Sequence, residues 1–297
     1  MEFVGRSPQA PELDGIVDQF WYCADEHISG TETVLPIGRA QLVIGLHHSA
    51  ELAALQGPTD RPRVIDASVQ RRAVGVSFTS VGATAIFRES AERFEGELID
   101  LDHIWSRTDL LIDALGSSSE PHETLLRLER HLVQRLLRPT TATVSFASSS
   151  ATGMRRPLDP RSHRDTSGGC FVEPRVVAAE RLLRQGCPVG EVASTLGVDR
   201  RRLGGEFRQS VGYGLKYFSR ISRFEHTIAV LRQPDAPGLA TIAAELGYAD
   251  QAHLTREFKA FSGLTPSTLH RRSGPAPNHV TDEIFKTSST EAATMAP

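Results

Sequence analysis

Cysteine is scarce: Cys23, Cys170 and Cys187 are the only three in 297 residues, they lie far apart, and none belongs to a CxxC pair. That excludes a disulfide framework and a structural zinc site, and it suits a reducing compartment. No apolar run approaches the roughly 20 residues a helix needs to cross a bilayer, so no membrane span is expected. The opening residues lack a basic stretch followed by an apolar one, so no secretory signal is expected either, and a cytoplasmic location fits best. No Ser-His-Asp order, HExxH, GxGxxG or phosphate-binding loop is present. The reading is therefore not an enzyme, with no cofactor and no metal.

What is present describes a globular chain with some loop or tail: 39% hydrophobic and 23% charged residues. The net charge of −3 conceals an asymmetry. Residues 1–139 carry 13 Lys+Arg against 21 Asp+Glu, whereas residues 171–273 carry 15 against 10. A basic block in an otherwise acidic chain is the electrostatic footprint of nucleic-acid binding. A solvated basic surface gives the same count, so motifs must decide.

Composition divides the chain into four. Residues 1–139 mix short apolar runs with turn residues. Within them, Gln41–His47 and Arg72–Phe78 read as strands, and Leu110–Leu115 and Glu123–Leu137 as amphipathic helices. Leu125, Leu128, Leu132, Leu136 and Leu137 form one stripe on the last helix, assigned to packing or a subunit contact. Residues 140–170, rich in Ser, Thr, Gly and Pro, read as a flexible linker. Residues 171–273 are helical in period, and 274–297 read as a disordered tail.

An internal repeat is the strongest signal. Ala193, Leu196 and Gly197 align with Ala243, Leu246 and Gly247 at an offset of 50. After a one-residue insertion, Leu203, Glu206, Phe207 and Gly212 align with Leu254, Glu257, Phe258 and Gly263 at 51. Each copy has the layout of a helix-turn-helix. A short helix carries apolar residues at Val189, Val192, Ala193 and Leu196, or at Ile242, Ala243 and Leu246. Gly197 or Gly247 supplies the left-handed residue that ends it. Asp199 or Asp250 caps the next helix. That second helix turns Leu203 and Phe207, or Leu254 and Phe258, inward. Its other face offers Arg201, Arg202 and Arg208 in the first copy, and Gln251, His253, Thr255, Arg256 and Lys259 in the second. Arg and Gln suit bidentate contacts on guanine and adenine edges. A long helix, Leu215–Arg232, joins the copies.

At these residues, over about 173–272, the sequence resembles the AraC/XylS family of bacterial transcriptional regulators. The run from Gly247 to Lys259 and the closing Gly263, Leu264, Thr265 and Pro266 carry the likeness, with Tyr217, Arg223, Ile228 and Leu231 on the connecting helix. The resemblance implies two helix-turn-helix units whose recognition helices enter successive major grooves, about one helical turn or 34 Å apart. The implied base contacts are Gln251, Thr255, Arg256 and Arg201, and the phosphate contacts Arg202, Arg208 and Lys259. One departure stands out. Gly204 and Gly205 occupy the first recognition helix where the family has polar or basic side chains, which suggests that the first unit anchors and the second reads.

Residues 7–137 resemble an uncharacterised domain found ahead of AraC-type DNA-binding domains. The matching pieces are Ser7 and Pro8, Val17–Trp21, Leu35–Gly38 with Gln41–Ile44, Gly75–Phe78, and Leu101–Trp105. Where that domain has a Pro-Gly-type turn after Phe78, this chain has Thr79, Ser80, Val81 and Gly82. By analogy the region is β-rich and cupin-like, sensing a small molecule or holding a homodimer. Its own candidate chemistry is thin. His47 and His48 are adjacent on a strand and point to opposite faces, so they make a poor metal site. Cys23 reads as a small buried residue, and Phe20, Trp21 and Trp105 as core aromatics.

The expectation is an α+β chain of two domains, a β-rich one at 1–139 and an all-α one at 171–273. It is read as a DNA-binding transcriptional regulator whose partners are double-stranded promoter DNA, RNA polymerase and a small-molecule effector. Two rivals stay open at this point. One is an effector-binding module whose DNA domain has degenerated. The other is a DNA-repair enzyme with an accessory helix-turn-helix, which would need a reactive cysteine in a set motif.

Overall fold

The computed structural model describes residues 2–25, 30–46, 52–66, 71–105, 107–137, 172–270 and 279–281. His47, His48 and Cys170 lie outside them, as does the linker expected at 140–170. The described strands are β1 (Glu2–Arg6), β2 (Val17–Ala24), β3 (Thr31–Val34), β4 (Gln41–Gly45), β5 (Ala53–Gln56), β6 (Arg63–Asp66), β7 (Arg72–Phe78), β8 (Leu98–Asp100) and β9 (His279–Thr281). The helices are α1 (Gly82–Phe87), α2 (Thr108–Gly116), α3 (Pro121–Leu137), α4 (Pro174–Arg184), α5 (Val189–Thr195), α6 (Arg200–Val211), α7 (Leu215–Leu231), α8 (Leu239–Glu245), α9 (Gln251–Ser262) and α10 (Pro266–His270). A β-sheet region thus precedes a helical one, the α+β arrangement expected.

Contacts gather the described residues into two compact units. One takes those within 1–29, 37–60 and 67–223; the other takes 30–36, 61–66 and 224–297. Helix α7 contributes its first half, to Arg223, to the first unit and the rest to the second.

The first unit holds a six-stranded antiparallel sheet in the order β1-β2-β7-β4-β5-β8. One face is continuous hydrocarbon: Phe20, Tyr22, Leu42, Ile44, Leu55, Val74, Val76 and Phe78 are all buried there. Leu111 and Leu115 of α2 and Leu125, Leu128 and Leu132 of α3 belong to the same core. Leu136 packs at its margin, but Leu137 is 66% exposed. The stripe therefore ends one residue earlier than its spacing suggested, because position 137 turns past the buried arc of the helix.

Two details fix this sheet. A methyl on Gly75 would overlap the Trp21 ring, so the indole lies flat on the neighbouring strand. Gly82 answers the question raised by the sequence after Phe78. The Ile16 carbonyl sits against its Cα, leaving no room for a Cβ, and Thr79 ties the same loop with N–H to Ile16 O at 2.9 Å and Oγ1 to Gly15 O at 2.9 Å. Only the glycine of the turn is required by that approach.

Glu129, buried on α3, fastens the N-terminal segment. It accepts from Arg6 Nη2 at 2.7 Å, Gln9 N at 2.6 Å and Ala10 N at 2.8 Å. In the second unit, β3 pairs with β6 on one side and β9 on the other, both antiparallel. Three residues of the stretch expected to be a disordered tail thus form strand β9, and the rest of that stretch lies outside the described residues.

Candidate nucleic-acid interface

The two repeats fold as two copies of one local design. In the first, α5 buries Val192 and Ala193 and stops at Gly197, whose φ of +64° lets Val198 N reach back to Ala193 O at 3.0 Å. In the second, α8 buries Ile242 and Ala243 and stops at Gly247, φ +74°, with Tyr248 N to Ala243 O at 2.9 Å. A left-handed residue closed by this six-to-one bond is the turn the repeat pattern required.

Asp199 then caps α6, accepting from Arg202 N at 2.7 Å, and Asp250 caps α9, accepting from His253 N at 2.6 Å. Each second helix buries its i and i+4 apolar pair completely: Leu203 and Phe207, or Leu254 and Phe258. Phe207 meets Phe218 of α7 edge-on at 5.4 Å, and Phe258 meets Phe224 of α7 at 5.1 Å. Each second helix therefore packs against its own half of α7.

The opposite faces are exposed. On α9, Gln251, Arg256 and Lys259 face solvent. Thr255 is half-buried, and its Oγ1 donates to Gln251 O at 2.9 Å. His253, grouped with this face by the sequence, is turned aside. Its Nδ1 accepts from Ala249 N at 3.1 Å, its ring stands edge-on to Tyr248 at 5.5 Å, and its Nε2 lies 3.8 Å from Glu257. It closes the turn.

On α6, Arg201, Arg202 and Arg208 are all exposed. Arg202 Nε donates to Glu206 Oε1 at 2.9 Å, the register equivalent of His253 beside Glu257. Glu206 is also held by Arg175 of α4, Nη2 to Oε1 at 2.7 Å. The Arg175 hydrogen bond, then Arg202, keeps its carboxyl below the usual range. Arg208 Nε lies 4.0 Å from Glu92.

Register sets Arg200 apart from its arginine neighbours. At the offset of 51, Arg200 corresponds to Gln251, whereas Arg201 corresponds to Ala252, and Gly204 and Gly205 correspond to Thr255 and Arg256. Arg200, exposed in the first turn of α6, stands where α9 has its leading polar side chain. The alignment already contained that signal. A Cβ added at Gly204 or Gly205 would meet nothing within 4 Å, so no packing demands a glycine at either place.

A comparison with protein families matches residues 192–272 to a helix-turn-helix domain. Ahead of it, residues 6–100 match a domain of unknown function, DUF6597. Part of this chain is similar to an AraC-like transcription regulator of Streptomyces antibioticus, 38% identical over 88 residues, or 29% of this chain and 28% of that protein. The chain thus spans little more than a quarter of the curated relative's length. Among solved structures, the C-terminal domain of AraT, a response regulator from Geobacillus stearothermophilus, is 23% identical, with 34% of this chain and 86% of that one covered at a TM-score of 0.32. ToxT from Vibrio cholerae is 11% identical, with 91% and 96% covered at a TM-score of 0.39. Among the described residues, no helix is long and apolar enough to cross a membrane, and no three His, Cys, Asp or Glu side chains gather as a metal site.

Proposed function

We propose that the protein is a sequence-specific DNA-binding transcriptional regulator, working without enzymatic activity in the cytoplasm. The observation that carries this is the pair of capped, glycine-turned helix-turn-helix units, each presenting a polar, partly basic recognition face outside a fully buried Leu-Phe pair. A helix held in this way is suited to the major groove, where side chains read base edges. Gln251, Thr255 and Arg256 contact bases, with Arg200 or Arg201 contributing from α6. Lys259, Arg208 and Arg202 contact phosphates, which set position without specifying sequence. Gly204 and Gly205 leave α6 without side chains at the two positions where α9 offers Thr255 and Arg256. The first unit accordingly anchors while the second reads.

Residues 1–139 are the sensory or dimerising region, answering a small-molecule effector, 140–170 the linker, 171–273 the DNA-binding domain and 274–297 the tail. RNA polymerase is the further partner. The glycine pair also favours a second reading, an effector-binding module whose DNA domain no longer discriminates.

Selective enrichment of random duplexes on the purified protein, followed by a salt titration of the winner, separates these. A motif constrained over two segments one helical turn apart, with a steep fall of affinity against salt, is the expected result. Constraint over one segment alone supports anchoring by α6. No enrichment, with and without metabolite pools, would leave the second reading standing.

A further inference from the structure

Helix α6 ends with carbonyls that have no partner inside the helix. Two are taken up by side chains from far back in the sequence. Thr84 Oγ1 on α1 donates to Ser210 O at 2.9 Å in a fully buried contact, 126 residues away. Ser90 Oγ donates to Gln209 O at 3.1 Å, 119 residues away. The 3-10 turn Ala91–Arg93 seats itself on the same end, so that a methyl on Gly212 would come within 3.3 Å of Ala91 O.

The surroundings extend this contact. Ser80 Oγ lies 3.1 Å from Glu180 Oε1 and 2.9 Å from Arg184 Nη2, both on α4. Glu92 faces Arg208 at 4.0 Å. Tyr217 on α7 is hydrogen-bonded to Asp60, and burial followed by that carboxylate pushes its hydroxyl pKa upward.

The end of α9 is built differently. Position 262, the equivalent of Val211, is a serine whose Oγ donates to Phe258 O at 2.7 Å and accepts from Leu264 N at 3.1 Å. One recognition helix is thus finished by its own Ser262, and the other by residues 84 and 90. The face of α1 that does not touch α6 is locked as well. Ile86 and Phe87 belong to the sheet core, and Phe87 stands edge-on to Phe78, Phe94 and Trp105 at 6.0, 6.2 and 6.3 Å.

We propose that residues 80–95 are the coupling element of this protein: they supply the C-terminal cap of the first recognition helix from the sheet region, and so make the order of α6, and not of α9, depend on the state of the sheet. A helix of six residues wedged between a packed core and a capped helix end cannot shift without moving its hydroxyl off Ser210. Whatever rearranges the sheet face under Phe87 is felt first at α6. The inference rests on the reading of α6 as a DNA-facing helix.

The test uses full-length Thr84→Val with Ser90→Ala, and Ser90→Ala alone as the milder variant should the first fail to fold. Hydrogen exchange at residues 207–213 is expected to quicken roughly thirtyfold in the double variant, the scale of losing two net hydrogen bonds, with residues 258–264 unchanged. On the enriched duplex, protection of the half-site covered by the first unit weakens while the other half is kept. Unchanged exchange at 207–213, or equal weakening of both half-sites, would overturn the proposal. Absence of specific protection by the wild-type protein, seen before any variant is made, would instead remove the functional reading and the proposal with it.

Discussion

Arg256 and Lys259 sit three residues apart on the exposed face of α9, yet different outcomes are expected of them. Arg256→Ala should cost about 1–3 kcal/mol on the preferred duplex and relax preference at one base position. Lys259→Ala should weaken all sequences alike and lower the salt slope by about one. Binding titrations on a panel of single-base variants at several salt concentrations distinguish them, and exchanged effects would refute the docking geometry. A third single residue concerns stability. Glu129 is buried, which opposes its charge, but the amides of Ala10 and Gln9 and the Arg6 guanidinium outweigh that and hold its carboxyl below its ordinary 4.5. A lowered folded pKa stabilises the fold above the unfolded value and ceases to do so as pH falls through the folded one. The wild type should therefore lose stability on acidification below about pH 4.5 more steeply than Glu129→Gln, as chemical denaturation across pH 3–6 would show. The role of Glu129 was not legible beforehand. Glu129 lies on a helix whose stripe of leucines masked it, and its partners are 119 to 123 residues distant.

Elements were more legible than residues, and the reason is local. Gly197, Asp199 and the Leu203/Phe207 pair act within a dozen positions, so their spacing alone fixed a turn, a cap and a buried face, and the second copy repeated the constraint. Strand β7 and helices α3 and α7 were likewise placed within a few residues by their own periodicity. The failures fall where a neighbouring element decides. His253 shares the spacing of an outward residue but is captured by Tyr248 and Ala249, and Leu137 shares the spacing of a core leucine but runs past the core. On α6 the glycine pair makes its own prediction. Since a Cβ at either place meets nothing within 4 Å, Gly204→Ala and Gly205→Ala should each stabilise the protein by about 1 kcal/mol in urea denaturation. If the double variant is instead more stable but no longer holds the half-site of the first unit, the glycines serve close approach of the DNA backbone.

At the scale of the molecule, pairings between distant segments govern, and these were least visible. Strand β3 was not anticipated, nor its bond to a strand from the C-terminal stretch, because four residues bracketed by turns carry almost no periodic signal. Truncation after Ser273 removes β9 and leaves that side of β3 unpaired. Faster hydrogen exchange within Thr31–Val34 is the expected result, with the six-stranded sheet unaffected; equal exchange would mean the pairing adds nothing to the edge.

The remote cap on α6 also bears on the order in which the chain is made. Thr84 and Ser90 leave the ribosome on the order of ten seconds before Ser210 and Gln209. By then the sheet and α1 have had time to form, so the last turn of α6 closes on a surface already waiting for it. The second helix-turn-helix, finished by its own Ser262, needs no such template. A fragment beginning at residue 171 would therefore carry one recognition helix with a frayed end and one intact, and conclusions about DNA reading drawn from it would belong to α9 alone.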